Sequence, residues 1–405
     1  MLQIKPRLLL VLSLVTLPLT TALKAENQSE YSRLNSEFER HRQSVMQEFD
    51  QYKQELEDGF KAFKESYARA FKAYKGAISA HWGEFRDAPP STWISYAQGG
   101  NIRRTVDYKQ GEVEVELLVD KGTRINDVQT TLDEAVYRLM NTTEKEAFNR
   151  DIVAKRVESE LSAFPNVVEK GELSDDRLFA MDDLLSLRMN HDGYLPVNSQ
   201  AENVAVTDQR AAEKEGKDII RVTFKVPHSI HERAIKYAEA VSQAAEKEKI
   251  DEELIFAIME TESSFNPMAK SHIPAYGLMQ IVPRTAGRDA TSYLFGKSKL
   301  LAPSYLYKPE NNITIGAAYL HVLHYRYMRK VKNLESRKYC AIAAYNTGAS
   351  NVARAFIKRA SFNKAAPVIN KLEPDEVYEK LKKYLPQKET RKYIEKVSRR
   401  MEKYL

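Results

Sequence analysis

The chain has 405 residues, enough for two or three domains, with 29% charged and 43% hydrophobic side chains. This is the balance of a soluble globular protein, and its net charge of +6 would suit an acidic polymer without demanding nucleic acid, for which no binding motif is present. One cysteine, Cys340, excludes an intrachain disulfide; it sits in the apolar run Tyr339–Ala344 and reads as a small core residue rather than a nucleophile or ligand.

The segment 1–25 reads as a secretory signal peptide. Lys5 and Arg7 precede an apolar run, Leu8 to Leu19, and small residues follow at Thr20, Thr21, Ala22 and Ala25. The run is short for a spanning helix, which needs about 18 or more apolar residues. No cysteine follows it, so no thioether-linked lipid anchor is expected. The mature protein is expected to be exported.

Residues 26–85 carry a long helical pattern. Steps of three, four and four from Phe38 reach His41, Val45, Phe49, Tyr52, Leu56, Phe60, Phe63, Tyr67, Phe71, Tyr74, Ile78 and Trp82. Phe38, Phe49, Phe60, Phe71 and Trp82 recur every eleven residues, a period that favours a straight or slightly right-handed supercoil. Two readings stay open. One is a coiled coil through which residues 28–85 self-associate or reach a protein partner. The other is an ordinary helix or helical hairpin packed on its own domain, weakened at Gly59 and Gly76.

Residues 86–227 form a mixed α/β segment. Ile102–Tyr108 and Glu112–Leu118 alternate around Lys109-Gln110-Gly111 and predict a hairpin. Ile125–Phe148 predicts a helix, residues 190–217 a polar loop, and Ile219–Val226 a strand stopped by Pro227. No catalytic constellation appears there, so the expected role is accessory. Residues 228–405 are nearly all helical, with patterns over Ile230–Glu248, Glu252–Phe265, Ile313–Val331, Ser336–Tyr345, Asn351–Lys358 and Asp375–Tyr384, and a last helix from about Thr390. The fold class is therefore α+β: a long N-terminal helix, a mixed accessory domain and an all-α domain.

Chemistry concentrates in the last of these. Leu254, Ile258 and Glu262 lie at four-residue spacing, so the helix aims a carboxylate where its own stripe calls for an apolar side chain. Burial raises the pKa of such a group, and a carboxyl protonated near neutral pH can act as a general acid. Taken alone, a buried structural ion pair explains Glu262 at least as well. Glu260 lies off this face and is expected to be solvated; Asp251 is expected to cap the helix.

The surrounding string changes that balance. Glu262-Ser263-Ser264-Phe265-Asn266-Pro267 is followed by Ser271, by Tyr276-Gly277-Leu278-Met279-Gln280-Ile281, and much later by Ala344-Tyr345-Asn346-Thr347-Gly348. Over about residues 235–400 this series resembles the lytic transglycosylase family, and more narrowly a branch in which a mixed accessory domain precedes the catalytic one. The resemblance implies a goose-lysozyme-like fold and cleavage of peptidoglycan glycan strands. It implies Glu262 as the single catalytic acid/base. It implies Ser271, Gly277, Met279, Gln280, Tyr345, Asn346 and the C-terminal Tyr393 as substrate-binding, with Ser263 supporting the helix end. Core packing accounts for Met279 nearly as well, a turn for Gly277, and a helix end for Tyr345 and Asn346. Asp289, beside Arg288, is expected to form a surface ion pair. With one carboxyl in the motif blocks, the implied chemistry is ring closure by the muramoyl 6-hydroxyl to a 1,6-anhydro product. A water-using lysozyme, or a non-catalytic wall-binding scaffold, is the alternative. No metal or organic cofactor is implied, and with no lipid-attachment cysteine the expected location is the periplasm.

Overall fold

The structure, a computed structural model, describes residues 28–179, 204–209, 216–225 and 230–405. The expected signal peptide, most of the 190–217 loop and the stop at Pro227 lie outside the described residues.

Helix α1 runs unbroken over Gln28–Trp82, through both Gly59 and Gly76, so the hairpin alternative is excluded. The chain separates into two compact units, one up to Gln54 and one from Glu55 to Leu405. In the first, the stripe is largely open: Phe38 and Phe49 are exposed and Val45 and Tyr52 half-buried, while Leu34 and Met46, outside the stripe, are exposed too. In the second, the same stripe is core. Leu56, Phe60, Phe63, Tyr67, Ile78 and Trp82 are buried. Phe63 meets Tyr276 edge-on, and Tyr67 donates to the Ser271 carbonyl at 3.1 Å. Gly59 lets α1 close on Leu300 and Val167.

After α1 the chain builds an antiparallel sheet from β1 (Thr92–Ala97), β2 (Ile102–Asp107) and β3 (Glu112–Asp120). The β2–β3 turn is the expected hairpin: Gly111 takes φ +65°, and Asp107 accepts from the Lys109 and Gln110 amides. The helix expected over Ile125–Phe148 is two, α2 (Ile125–Met140) and α3 (Glu144–Arg150). Thr143 breaks it by capping α3 in a reciprocal box with Glu146, a local bond that outcompetes continuation. Helix α4 (Ile152–Leu161) and strand β4 (Val168–Glu169) follow. Strand β5 (Val204–Gln209) falls inside the expected loop, because its Val-Ala-Val alternation is hidden in a polar stretch; it pairs with β6 (Lys217–Lys225), giving the sheet order β1-β2-β3-β6-β5.

The rest is helical: α5 (Ile230–Ile235), α6 (Ala238–Glu248), α7 (Glu252–Glu262), α8 (Arg288–Phe295), then strand β7 (Leu300–Leu301), α9 (Pro303–Tyr307), α10 (Pro309–His321), α11 (Leu334–Thr347), α12 (Ala349–Ile357), α13 (Phe362–Ile369), α14 (Pro374–Tyr384) and α15 (Lys388–Met401). The single helix expected over Ile230–Glu248 is split at Lys236–Tyr237. The one expected over Ile313–Val331 starts earlier and passes into a π-helical turn at Val322–Tyr327. Helix α13 escaped the periodicity because it carries Pro367 in its interior. Cys340 is buried with its thiol pKa pushed up by desolvation, as an inert core residue should be.

The sheet region and the helical region are stitched together. β4 pairs in parallel with β7, Lys270 bridges to Asp151 at 2.8 Å, and Tyr307 donates to the same carboxylate.

Candidate active site

Helix α7 is apolar almost all round, with Leu254, Ile255, Ala257, Ile258 and Met259 buried. It ends at Glu262, short of the expected Phe265. The cause is backbone geometry. Ser264 and Phe265 both adopt left-handed conformations, φ +53° and +64°, which cost roughly 1–2 kcal/mol each for residues with a Cβ. The turn is held from several sides. The Ser263 hydroxyl, which is buried, donates to the Leu278 carbonyl at 2.8 Å. Phe265 is buried against Tyr237 and Tyr404, and the Asn266 amide donates to the Pro90 carbonyl at 2.8 Å. Ser263 therefore supports the helix end, as the sequence suggested. Asp251 does not cap α7 with its side chain; it faces Lys338 instead.

Glu262 stands half-buried at the end of α7. The Tyr393 hydroxyl on α15 donates to its Oε1 at 2.7 Å. Burial lifts the carboxyl pKa to about 7; the Tyr393 bond pulls against this, and the negative charge of Glu389 adds to it. Tyr393 and Tyr345 both remain phenols, because burial and the Glu262 charge push their pKa values well up. Glu262 can thus hold a proton near neutral pH, and its hydrogen bond among the described residues comes from a neutral phenol.

Around this pair the expected residues divide. Tyr345 joins the site: its hydroxyl donates to the Met279 carbonyl at 2.7 Å and its ring packs against Tyr319, with centroids 5.5 Å apart. Asn346 accepts from the Thr390 hydroxyl at 2.6 Å, which ties α11 to the α15 turn that carries Tyr393. Gln280 takes φ +47°; its amide nitrogen donates to the Gly277 carbonyl, and its buried Oε1 has no partner among the described residues.

The other three are placed differently. The Met279 side chain is fully buried against Gly316, so it is core; what it brings to the site is the carbonyl that anchors Tyr345. Gly277, at φ +74°, permits a close approach, but the protein's own Asn312 and Leu306 make it: an added Cβ would lie 2.3 Å from the Asn312 amide nitrogen. The Ser271 hydroxyl closes a local turn onto the Ile273 carbonyl.

Two acidic residues depart from expectation. Glu260 is buried rather than solvated, 2% exposed, and meets Arg400, Lys403 and Tyr404 at 2.8–2.9 Å. Asp289 accepts from Tyr327, while Arg288 pairs with Glu57 on α1.

Asn312 was missed. Fully buried on α10, it donates to the Tyr276 and Leu306 carbonyls and accepts from the Met279 amide, fixing the whole Tyr276–Ile281 loop. Its signal was available: Asn312, Gly316 and Leu320 form a four-residue series, so Asn312 is a polar interruption of a buried stripe like Glu262. Thr390 and Glu389 precede Tyr393 in the same block, and only the fold shows them facing the site.

Residues 239–367 match the family model described as the transglycosylase SLT domain. Among curated proteins, the chain is 48% identical over 173 residues to a membrane-bound lytic murein transglycosylase C of Photorhabdus laumondii, covering 43% of this chain and 48% of that protein. It is 46% identical over 179 residues to the protein of the same name from Klebsiella pneumoniae, covering 44% and 49%. The chain thus spans about half the length of the curated relatives it matches. Among solved structures, the 70 kDa soluble lytic transglycosylase of Escherichia coli is 26% identical, covering 42% of this chain and 24% of that one with a TM-score of 0.32.

Proposed function

From the transglycosylase SLT domain over residues 239–367, we propose that this protein is a peptidoglycan lytic transglycosylase with Glu262 as its acid and base. The observation that carries this reading is the Glu262–Tyr393 pair: a carboxyl with its pKa raised to about 7, held by a neutral phenol. The protonated carboxyl donates to the glycosidic oxygen between N-acetylmuramic acid and N-acetylglucosamine. The resulting carboxylate then takes the proton of the muramoyl 6-hydroxyl, which attacks the anomeric carbon and closes the 1,6-anhydro ring. Atoms balance without water, and one carboxyl serves both steps, whereas ordinary glycoside hydrolases use two, about 5–10 Å apart.

Tyr345 and Asn346 offer the sugar an aromatic face and an amide whose nitrogen stays available while its oxygen accepts from Thr390. Gln280 offers its unpartnered Oε1 to a donor of the substrate. The names of the relatives support a murein substrate. They also read membrane-bound; among the described residues no helix is long and apolar enough to cross a membrane. We place the protein in the periplasm, exported by the segment 1–25, and assign residues 228–405 as the catalytic domain, 86–227 as accessory and the largely open N-terminal stripe of α1 as a surface for self-association or a protein partner.

Mass analysis of peptidoglycan digested by the purified protein tests the reaction. Muropeptides ending in 1,6-anhydromuramic acid are expected; products carrying the added mass of water would replace this reading with a lysozyme-like hydrolase.

A further inference from the structure

Two adjacent arginines on β2 point to opposite faces of the sheet, as alternation along a strand requires, and their surroundings could hardly differ more. Arg103, 1% exposed, donates twice to Glu116 at 2.6 and 3.0 Å and lies 4.2 Å from the centre of the Trp82 ring, leaving only its Nη1 without an acceptor among the described residues. Arg221 shares the same carboxylate. Burial would push the Glu116 pKa up, but the hydrogen bonds from Arg103 and Arg221 hold it down at about 2.

Arg104 is buried as deeply, 2% exposed, and neither its Nε nor its Nη1 finds a hydrogen-bond acceptor among the described residues. It lines a cavity of about 280 Å³ together with Tyr96, Ala97, Arg138 of α2 and Arg150 of α3. Three guanidinium groups thus face one space. Glu134 and Glu146 are the carboxylates nearby. They lie 3.7 Å from Arg138 and 3.6 Å from Arg150, and both are more than half exposed, so such pairs contribute only about 0–1 kcal/mol. Arg150 also donates to the Thr142 hydroxyl. Neither glutamate pairs with Arg104, whose own pKa is drawn down to about 10, by burial first and then by repulsion from Arg150 and Arg138, which the attraction of Glu146 offsets only in part.

A buried, fork-shaped, unpaired cation is costly to the fold and is complementary to a planar or tetrahedral oxyanion. At about 280 Å³ the cavity lies at the lower edge of the roughly 300–1,000 Å³ of ordinary ligand pockets, with room for a small group rather than a sugar chain. We propose that this cavity in the accessory region binds a small oxyanion, a carboxylate or a phosphate group, through Arg104 with Arg138 and Arg150. The site shares no residue with the Glu262 cluster and stands whether or not the proposed reaction holds. In chemical terms its anion has two sources, the carboxylates of a wall peptide or a free or esterified phosphate.

Thermal unfolding of the full chain in inorganic phosphate, in acetate and in sodium chloride of matched ionic strength tests this and separates the two sources. At ten times its dissociation constant the bound anion raises Tm by about 2 °C over chloride. A rise with phosphate alone assigns a phosphate site; a rise with acetate alone assigns a carboxylate site. Arg104→Met keeps the side-chain volume and removes the unpaired charge. It should lose the anion-dependent rise while melting in chloride no lower than the parent chain. Arg150→Gln, at a half-exposed position, should weaken anion affinity about tenfold and decides the matter if Arg104→Met fails to fold. No rise with either anion, an undiminished rise in Arg104→Met, or unchanged affinity in Arg150→Gln would each overturn the proposal.

Discussion

Glu260 and Glu262 stand two positions apart at the end of α7, and their surroundings differ in kind. Glu260 is met by Arg400, Lys403 and the Tyr404 hydroxyl, all from the C-terminal end of the chain. Glu262 is met by one neutral hydroxyl, from Tyr393. The first arrangement surrounds the carboxylate with two cationic side chains and a hydroxyl donor. The second disfavours the charged form, and burial lifts the Glu262 pKa to about 7. The β2 arginines repeat the contrast with the sign reversed: Arg103 is ion-paired to Glu116, with only its Nη1 unpartnered, whereas Arg104 has neither its Nε nor its Nη1 partnered among the described residues.

This contrast can be broken most sharply at Glu262 itself. Glu262→Gln keeps the shape and removes the proton, so lysis of purified peptidoglycan should fall by about 10³-fold, within the range ascribed to general acid catalysis. Its melting temperature should not fall. Undiminished lysis would sink the assignment. Glu260→Ala should do the reverse. It strands Arg400 and Lys403, and denaturant unfolding should show a loss of about 3–5 kcal/mol, as when one partner of a buried ion pair is removed. The fraction that remains folded should keep its activity per molecule.

A third test uses pH. The folded-state pKa of Glu262 lies above its ordinary value of 4.5, at about 7, so the folded chain holds this proton more tightly than the unfolded chain does. The resulting stability is present in full below pH 4.5, is lost as pH rises towards 7, and is absent above it. Because the residue is half-buried, the difference between the parent chain and Glu262→Gln should change across that window by about 2–3 kcal/mol. A flat difference would mean that Glu262 ionises like an exposed carboxyl.

The smallest effect sharpens the comparison most. Tyr393→Phe removes the hydrogen bond that pulls the Glu262 pKa down. The alkaline limb of the pH–activity curve should therefore move to higher pH, with about a tenfold loss of rate at the optimum. A rate loss without a shifted limb would reduce Tyr393 to a packing residue.

Much of this was legible in the sequence, wherever one local rule decided the matter. The helical pattern of α1, though not whether it is broken, the β2–β3 hairpin with Gly111 at its turn, and the polar Glu262 in an apolar stripe all follow from periodicity or turn chemistry. The fold class follows as well. The errors arose where a partner distant in sequence overrides the local pattern. Glu260 looked solvated because its three partners, Arg400, Lys403 and Tyr404, lie at the far end of the chain. Met279 looked like a groove residue because nothing local shows Gly316 opening a slot for its side chain. Helix α7 stops early because Phe265 is drawn into a cluster with Tyr237 and Tyr404, and that burial outweighs one more turn of helix. Arg104 was indistinguishable from Arg103 in the string; only the sheet decides which of them meets Glu116.

The clamp on Glu260 also orders events in the life of the chain. A ribosome delivers α7 long before it delivers Arg400, Lys403 and Tyr404. Until those arrive, Glu260 has no counter-ions and the turn at Ser264–Phe265 lacks the Tyr404 ring against it. The end of the helix that carries Glu262 is thus fastened by residues from the far end of the chain. A polypeptide clipped before Arg400 would keep the motif blocks and lose that fastening.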